Sequence, residues 1–155
     1  MTVDEIITFI ESLGDVVVQR PAEGDGSPEI AWGDVFFYYA PDGQIPPTQP
    51  FATIVTKDYP DELPSGLDAE GSFRVNLSTG KDEFAARIGR NPKAPAGALE
   101  PLSATDDVLL AHPTYGSLGW LAVKNPGPNT EAELQELIGR AHSLAKGRWD
   151  RSNGL

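Results

Sequence analysis

Apolar residues between positions 3 and 13 recur every three or four residues. Val3, Ile6, Ile7, Ile10 and Leu13 share one helical face, Thr2 and Glu5 stand ahead in capping-box spacing, and Gly14 follows. The pattern predicts an amphipathic helix that stops at Gly14. Beyond it the helical period stops. The segments DVVVQ (15–19), VFFYY (35–39) and FATIVTK (51–57) are rich in β-branched and aromatic residues and are separated by Gly, Pro and Asp clusters, so they read as strands. The connection APDGQIPPTQP is too long and proline-rich for a tight hairpin and is expected to be irregular. In GSFRVNLSTGKDEF, from Gly71 to Phe84, the residues Phe73, Val75 and Leu77 alternate with Ser72, Arg74 and Asn76. That alternation predicts a strand with one buried face. DEFAARIG then continues as a short helix, with Ser78 or Thr79 as its cap and Gly89 as its end.

The proline- and alanine-rich stretch from Arg90 to Asp106 is expected to cross the domain as a loop. DVLLAHP and GWLAVKNP follow as a strand pair joined by TYGSL. TEAELQELIGRAHSLAKG carries the clearest helical stripe, formed by Leu134, Leu137, Ile138, Ala141, Leu144 and Ala145. Thr130 and Glu133 repeat the capping-box spacing, and Gly147 is expected to end the helix. The tail from about 148 to 155 is expected to be disordered. Residues 1–155 thus form a single domain of the α+β class. The natural two-layer solution is a single antiparallel sheet with helices on one face.

Composition narrows the functional classes. At 155 residues and 39% hydrophobic content the chain can bury one core. There is no cysteine, so disulfides, thiolate metal sites and cysteine nucleophiles are excluded, and a reducing cytoplasm is the expected location. The first twenty residues contain no Lys and one Arg, at position 20, which lacks the basic start of a signal peptide. The longest apolar run, Val35 to Ala40, is far shorter than the roughly 20 residues of a membrane span. The net charge of −11 lies wholly in residues 1–77, which hold 14 acidic and 3 basic side chains; residues 78–155 hold 9 of each. No basic run offsets this field, so neither nucleic acid nor membrane is an expected partner.

Two motifs come close and fail. A phosphate-binding loop needs a Gly five residues before the Gly80–Lys81 pair and a Ser or Thr after it; Val75 and Asp82 stand there. In YGSLG the spacing is one residue short of the nucleophile elbow, Gly-x-Ser-x-Gly. His112 and His142 sit in no metal-ligand spacing, so no metal, cofactor or catalytic residue is assigned.

The order of elements resembles the MmcQ/YjbR-like family of small bacterial proteins. The segments FATIVT, FRVNLSTGKDEFAARIG and HPTYGSLGWLAVKNPGPNTEAELQELIGRAHSLA carry the likeness, and FATIVTKDYP with FRVN is closer still to a bacterial domain family of unknown function. The resemblance implies a secretion-chaperone-like fold with the order α-β(3)-α-β(2)-α. It implies no catalytic residues.

Candidate chemistry rests on the strand face opposite the helices. Arg74 and Asn76 point there, Lys57 at the end of the preceding strand is the expected third member, and His112 and Tyr115 lie at a strand end where loops carry function. The same face is otherwise the ordinary wet side of a sheet. VFFYY argues for a cover, because Phe36 and Tyr38 cannot share the face of Val35, Phe37 and Tyr39; a loop, a ligand or a second subunit would provide it. The leading expectation is a noncatalytic domain that binds a small molecule or a protein through this face, with a homodimer as one form. The alternative is a small-molecule enzyme with its site near Arg74, His112 and Tyr115.

Overall fold

The computed structural model describes residues 1–62 and 64–154. Helix α1 (Val3–Ser12) begins at the expected capping box: the Thr2 hydroxyl accepts from the Glu5 amide, and the Glu5 carboxylate accepts from the Thr2 amide, both at 3.1 Å. Strands β1 (Val16–Gln19), β2 (Val35–Tyr39), β3 (Ala52–Val55) and β4 (Arg74–Ser78) follow, then α2 (Gly80–Ile88), β5 (Leu109–Ala111), β6 (Trp120–Lys124) and α3 (Glu131–Ser152). Four strands therefore precede α2, where the family resemblance implied three. The additional strand is integral, because β4 pairs with both β3 and β6 at the centre of the sheet.

All six strands form one antiparallel sheet in the order β1-β2-β3-β4-β6-β5. The register sorts side chains by face. Val35 lies opposite Ile54, Ile54 opposite Val75, and Val75 opposite Val123, while Phe37, Ala52, Leu77 and Leu121 form the adjoining row. These residues are buried against Ile6, Ile7 and Ile10 of α1, Phe84 of α2, and Leu134, Leu137, Ile138 and Ala141 of α3. The core is thus the space between one sheet face and three helices, as the period-two and helical stripes require.

The ends of the helices depart from the sequence pattern. Thr79 and Thr130 stand at the N-caps of α2 and α3, yet neither side chain caps its helix. Both have helical backbone angles, whereas side-chain capping uses an extended N-cap. Asp107 takes over at α3, accepting from the amides of Gly127, Asn129 and Thr130 and from the Thr130 hydroxyl at 2.6–3.1 Å. Gly147 does not end α3, which continues to Ser152, so the expected disordered tail is corrected to helix through that residue. Trp149 provides the reason. Its ring meets Tyr39 edge-on at 6.1 Å and packs against the core, so the last turns have an anchor that composition did not reveal.

The second sheet face is partly roofed by the chain's own loops. Described residues of the 56–73 segment lie over β4, where Ser65 and Glu62 meet the Arg74 side chain, and the segment is tied down at its start by Asp34, which is almost fully buried. Asp34 accepts from the Thr56 amide and hydroxyl, from Lys57 Nζ and from the Tyr59 hydroxyl. Asp58 shapes the middle of the segment by accepting from the Ser65 and Leu67 amides.

Candidate functional site

Between these loops and the sheet lies a cleft of about 560 Å³. Its floor is made by Phe36 and Tyr38 of β2, Thr53 of β3, Arg74 and Asn76 of β4, and Trp120 of β6. The pleat explains the set, since Phe36 lies opposite Thr53, and Thr53 opposite Asn76. One wall carries Tyr59 and Glu62, and the other His112 and Tyr115 from the β5–β6 connection.

Arg74 and Asn76 are only 3% and 2% exposed, so they do not lie on the open wet face that alternation alone suggests. The roof of residues 56–73 is the cause. A buried guanidinium must be satisfied, and its donors are spent in order. Arg74 Nε donates to Asn76 Oδ1 at 2.7 Å, and Asn76 Nδ2 donates onward to Thr53 Oγ1 at 3.0 Å. Nη1 donates to Ser65 Oγ at 3.0 Å. Among the described residues, Nη2 meets Glu62 Oε2 at 3.6 Å, an ion-pair distance too long for a hydrogen bond, and His112 Nε2 at 3.3 Å. Burial lowers the Arg74 pKa, with Glu62 and Asp58 acting in the opposite sense.

The contact with His112 is chemically incomplete. His112 Nδ1 accepts from the backbone amides of Thr114 and Tyr115 at 3.0 and 2.9 Å, which pins the turn after β5. Its lone pair is occupied, so the ring proton sits on Nε2. Burial and the neighbouring Arg74 charge push the His112 pKa down to about 3, so the ring is neutral near pH 7. The Nε2 proton and the Nη2 protons are therefore two donors placed side by side, with one weakly held carboxylate near them. An acceptor oxygen in the cleft would satisfy both.

The sequence-predicted residues divide accordingly. Arg74, Asn76, His112 and Tyr115 come together at the cleft, the Tyr115 ring lying 5.0 Å from that of His112. Lys57 does not line it. Its Nζ donates to Trp32 O at 2.8 Å and pairs with Asp34 at 3.1 Å, where it neutralises a buried carboxylate. Glu62, Tyr59, Ser65, Thr53 and Trp120 were not among the sequence candidates. For Thr53 and Trp120 the strand period held a usable signal; the loop residues have no period to read.

A second cleft of about 980 Å³ lies beyond residues 48–50 and is lined in part by Arg148, Trp149 and Arg151. It is larger, but its two arginines are exposed, and no buried polar group organises it.

A family model described as "Family of unknown function (DUF6194)" matches residues 1–154. The chain belongs to that family. No curated protein and no solved structure matches it. In this DUF6194 domain the described residues hold no group of three or more His, Asp or Glu positioned for a metal ion, and no described helix is long and apolar enough to cross a membrane.

Proposed function

We propose that this DUF6194 domain is a noncatalytic small-molecule-binding module whose ligand sits in the Arg74–His112 cleft with an acceptor group against Arg74 Nη2 and His112 Nε2. The observation that carries the reading is the pair of neighbouring buried donors, of which, among the described residues, only Nη2 has an acceptor nearby, and that at ion-pair range. The cleft volume of about 560 Å³ falls inside the roughly 300–1,000 Å³ of small-molecule sites, and aromatic lining with a few fixed polar groups is their usual chemistry. Binding is favoured over acid–base catalysis because His112 has its Nδ1 lone pair engaged, and a ring held near 3 is a weak base at neutral pH. One chain supplies every group of the cleft, so the reading requires no homodimer.

A location in a reducing cytoplasm fits the absence of cysteine. An affinity with MmcQ/YjbR-like proteins belongs to the same reading; helices on one face of an antiparallel sheet support it, and the fourth strand before α2 departs from it.

A fragment library screened by ¹H–¹⁵N chemical-shift mapping tests the proposal. Hits are expected to move the Trp120 indole N–H and the Arg74 Nε–H together. A screen whose hits all map elsewhere, or that yields none, overturns it.

A further inference from the structure

The cleft's polar end is small, holds one guanidinium, and is already touched by a carboxylate of the protein itself. We infer that the ligand is a flat aromatic monocarboxylate, and that its carboxylate displaces Glu62 from Arg74. This rests on the proposed binding cleft and names what the cleft selects.

Counting donors argues for a carboxylate. Of the five N–H groups of the guanidinium, that on Nε is committed to Asn76 and one of the two on Nη1 to Ser65. On the side facing His112 stands Nη2, which among the described residues makes no hydrogen bond to an acceptor, and the His112 Nε2 proton adjoins it, 3.3 Å apart between nitrogens. Two neighbouring donors match the two oxygens of a planar carboxylate. A phosphate dianion presents three oxygens and twice the charge to the same two donors. It would also face Asp61 and Glu62 on the cleft wall, with one cation to offset them, since Lys57 is held by Asp34.

Glu62 shows where that carboxylate goes. Its Oε2 stands 3.6 Å from Nη2, near enough to pair and too far to hydrogen-bond, and its side chain is largely buried. The pair is therefore loose where the rest of the guanidinium is tightly held. A ligand carboxylate that closes to hydrogen-bond distance on both Nη2 and Nε2 gains what Glu62 does not supply, and Glu62, on a loop, can turn to solvent. The body of the ligand then lies along Phe36, Tyr38 and Trp120, where ring faces and edges favour an aromatic partner over an aliphatic one.

The test uses the full chain and isothermal titration with 2-naphthoate, its neutral amide and 2-naphthyl phosphate. Naphthoate is expected to bind at least about tenfold more tightly than the amide, the scale on which a charge-assisted pair exceeds a neutral one. The phosphate is expected to bind more weakly than the carboxylate. Glu62→Gln, which removes the internal competitor without shortening the side chain, should tighten naphthoate several-fold and the neutral amide by clearly less. Asp61→Asn removes the same charge from the same wall without a contact to Arg74, and should give a clearly smaller gain.

An amide that binds as well as the acid, a phosphate that binds better, or equal gains from Glu62→Gln and Asp61→Asn each overturn the inference. So does the absence of naphthoate binding. If library fragments still move Trp120 and Arg74 in that last case, the cleft survives and only its ligand class falls; if none does, both fall together.

Discussion

His112 uses its two ring nitrogens for different tasks. Nδ1 holds the turn after β5, and Nε2 carries a proton toward Arg74. Because its folded pKa of about 3 lies below the ordinary value of 6.5, the unfolded chain binds the extra proton first as pH falls. The stability this neutral ring contributes is complete above about pH 6.5 and is lost progressively down to about pH 3, at up to about 1.4 kcal/mol per pH unit. Urea unfolding between pH 4 and 7 should show that slope in the wild type and a reduced one in His112→Gln; parallel profiles would show that His112 is not held neutral. Arg74, Asn76 and His112 could be found from the sequence because a strand period or a strand end marks them. Glu62 could not, since its position depends on hydrogen bonds that Asp34 and Asp58 make to a loop without any repeat. Burial of Arg74 was hidden for the same reason: a strand's period says which face a residue takes, and nothing about the loop that roofs it.

At the level of elements, α1 follows its capping box, while α3 answers to a residue far from it in sequence. Asp107 has a left-handed backbone with φ of 52° and accepts four hydrogen bonds at the start of α3. Aspartate tolerates that conformation better than alanine does. Asp107→Ala should therefore cost about 2 kcal/mol, the upper range for losing an N-cap, whereas Glu133→Ala should not behave as the loss of a capping-box partner. Glu133 instead pairs with Arg87 of α2 at 3.0 Å, in a cluster with Glu83 and Glu136 that ties the two helices together. The Thr130–Glu133 spacing misleads because a sequence pattern cannot register a competitor from another loop. Trp149→Ala tests the far end of the helix: loss of the Tyr39 contact and of core packing should cost about 2 kcal/mol in chemical denaturation. A change below about 0.5 kcal/mol, the usual surface value, would mean that the last turns contribute nothing to the fold.

For the whole molecule, the charge distribution and the sheet order set the behaviour. Residues 1–77 carry −11, and of their three basic side chains Arg74 is buried and Lys57 is paired with Asp34. Duplex DNA should accordingly show no specific binding at physiological salt in fluorescence anisotropy, because the phosphate backbone meets repulsion and no cluster of counter-charge. The sheet order has a temporal meaning as well. Strand β4 reaches its second neighbour only when residues 120–124 have been made, and α3, which seals the core, comes later still. During synthesis on the ribosome the first half of the chain must therefore wait with one edge of its central strand unpaired and the apolar faces of β2 and β3 uncovered. Such an intermediate is a target for chaperones and for aggregation. A fragment ending at residue 119 should lack a cooperative thermal transition by circular dichroism, whereas the full chain should melt in one step.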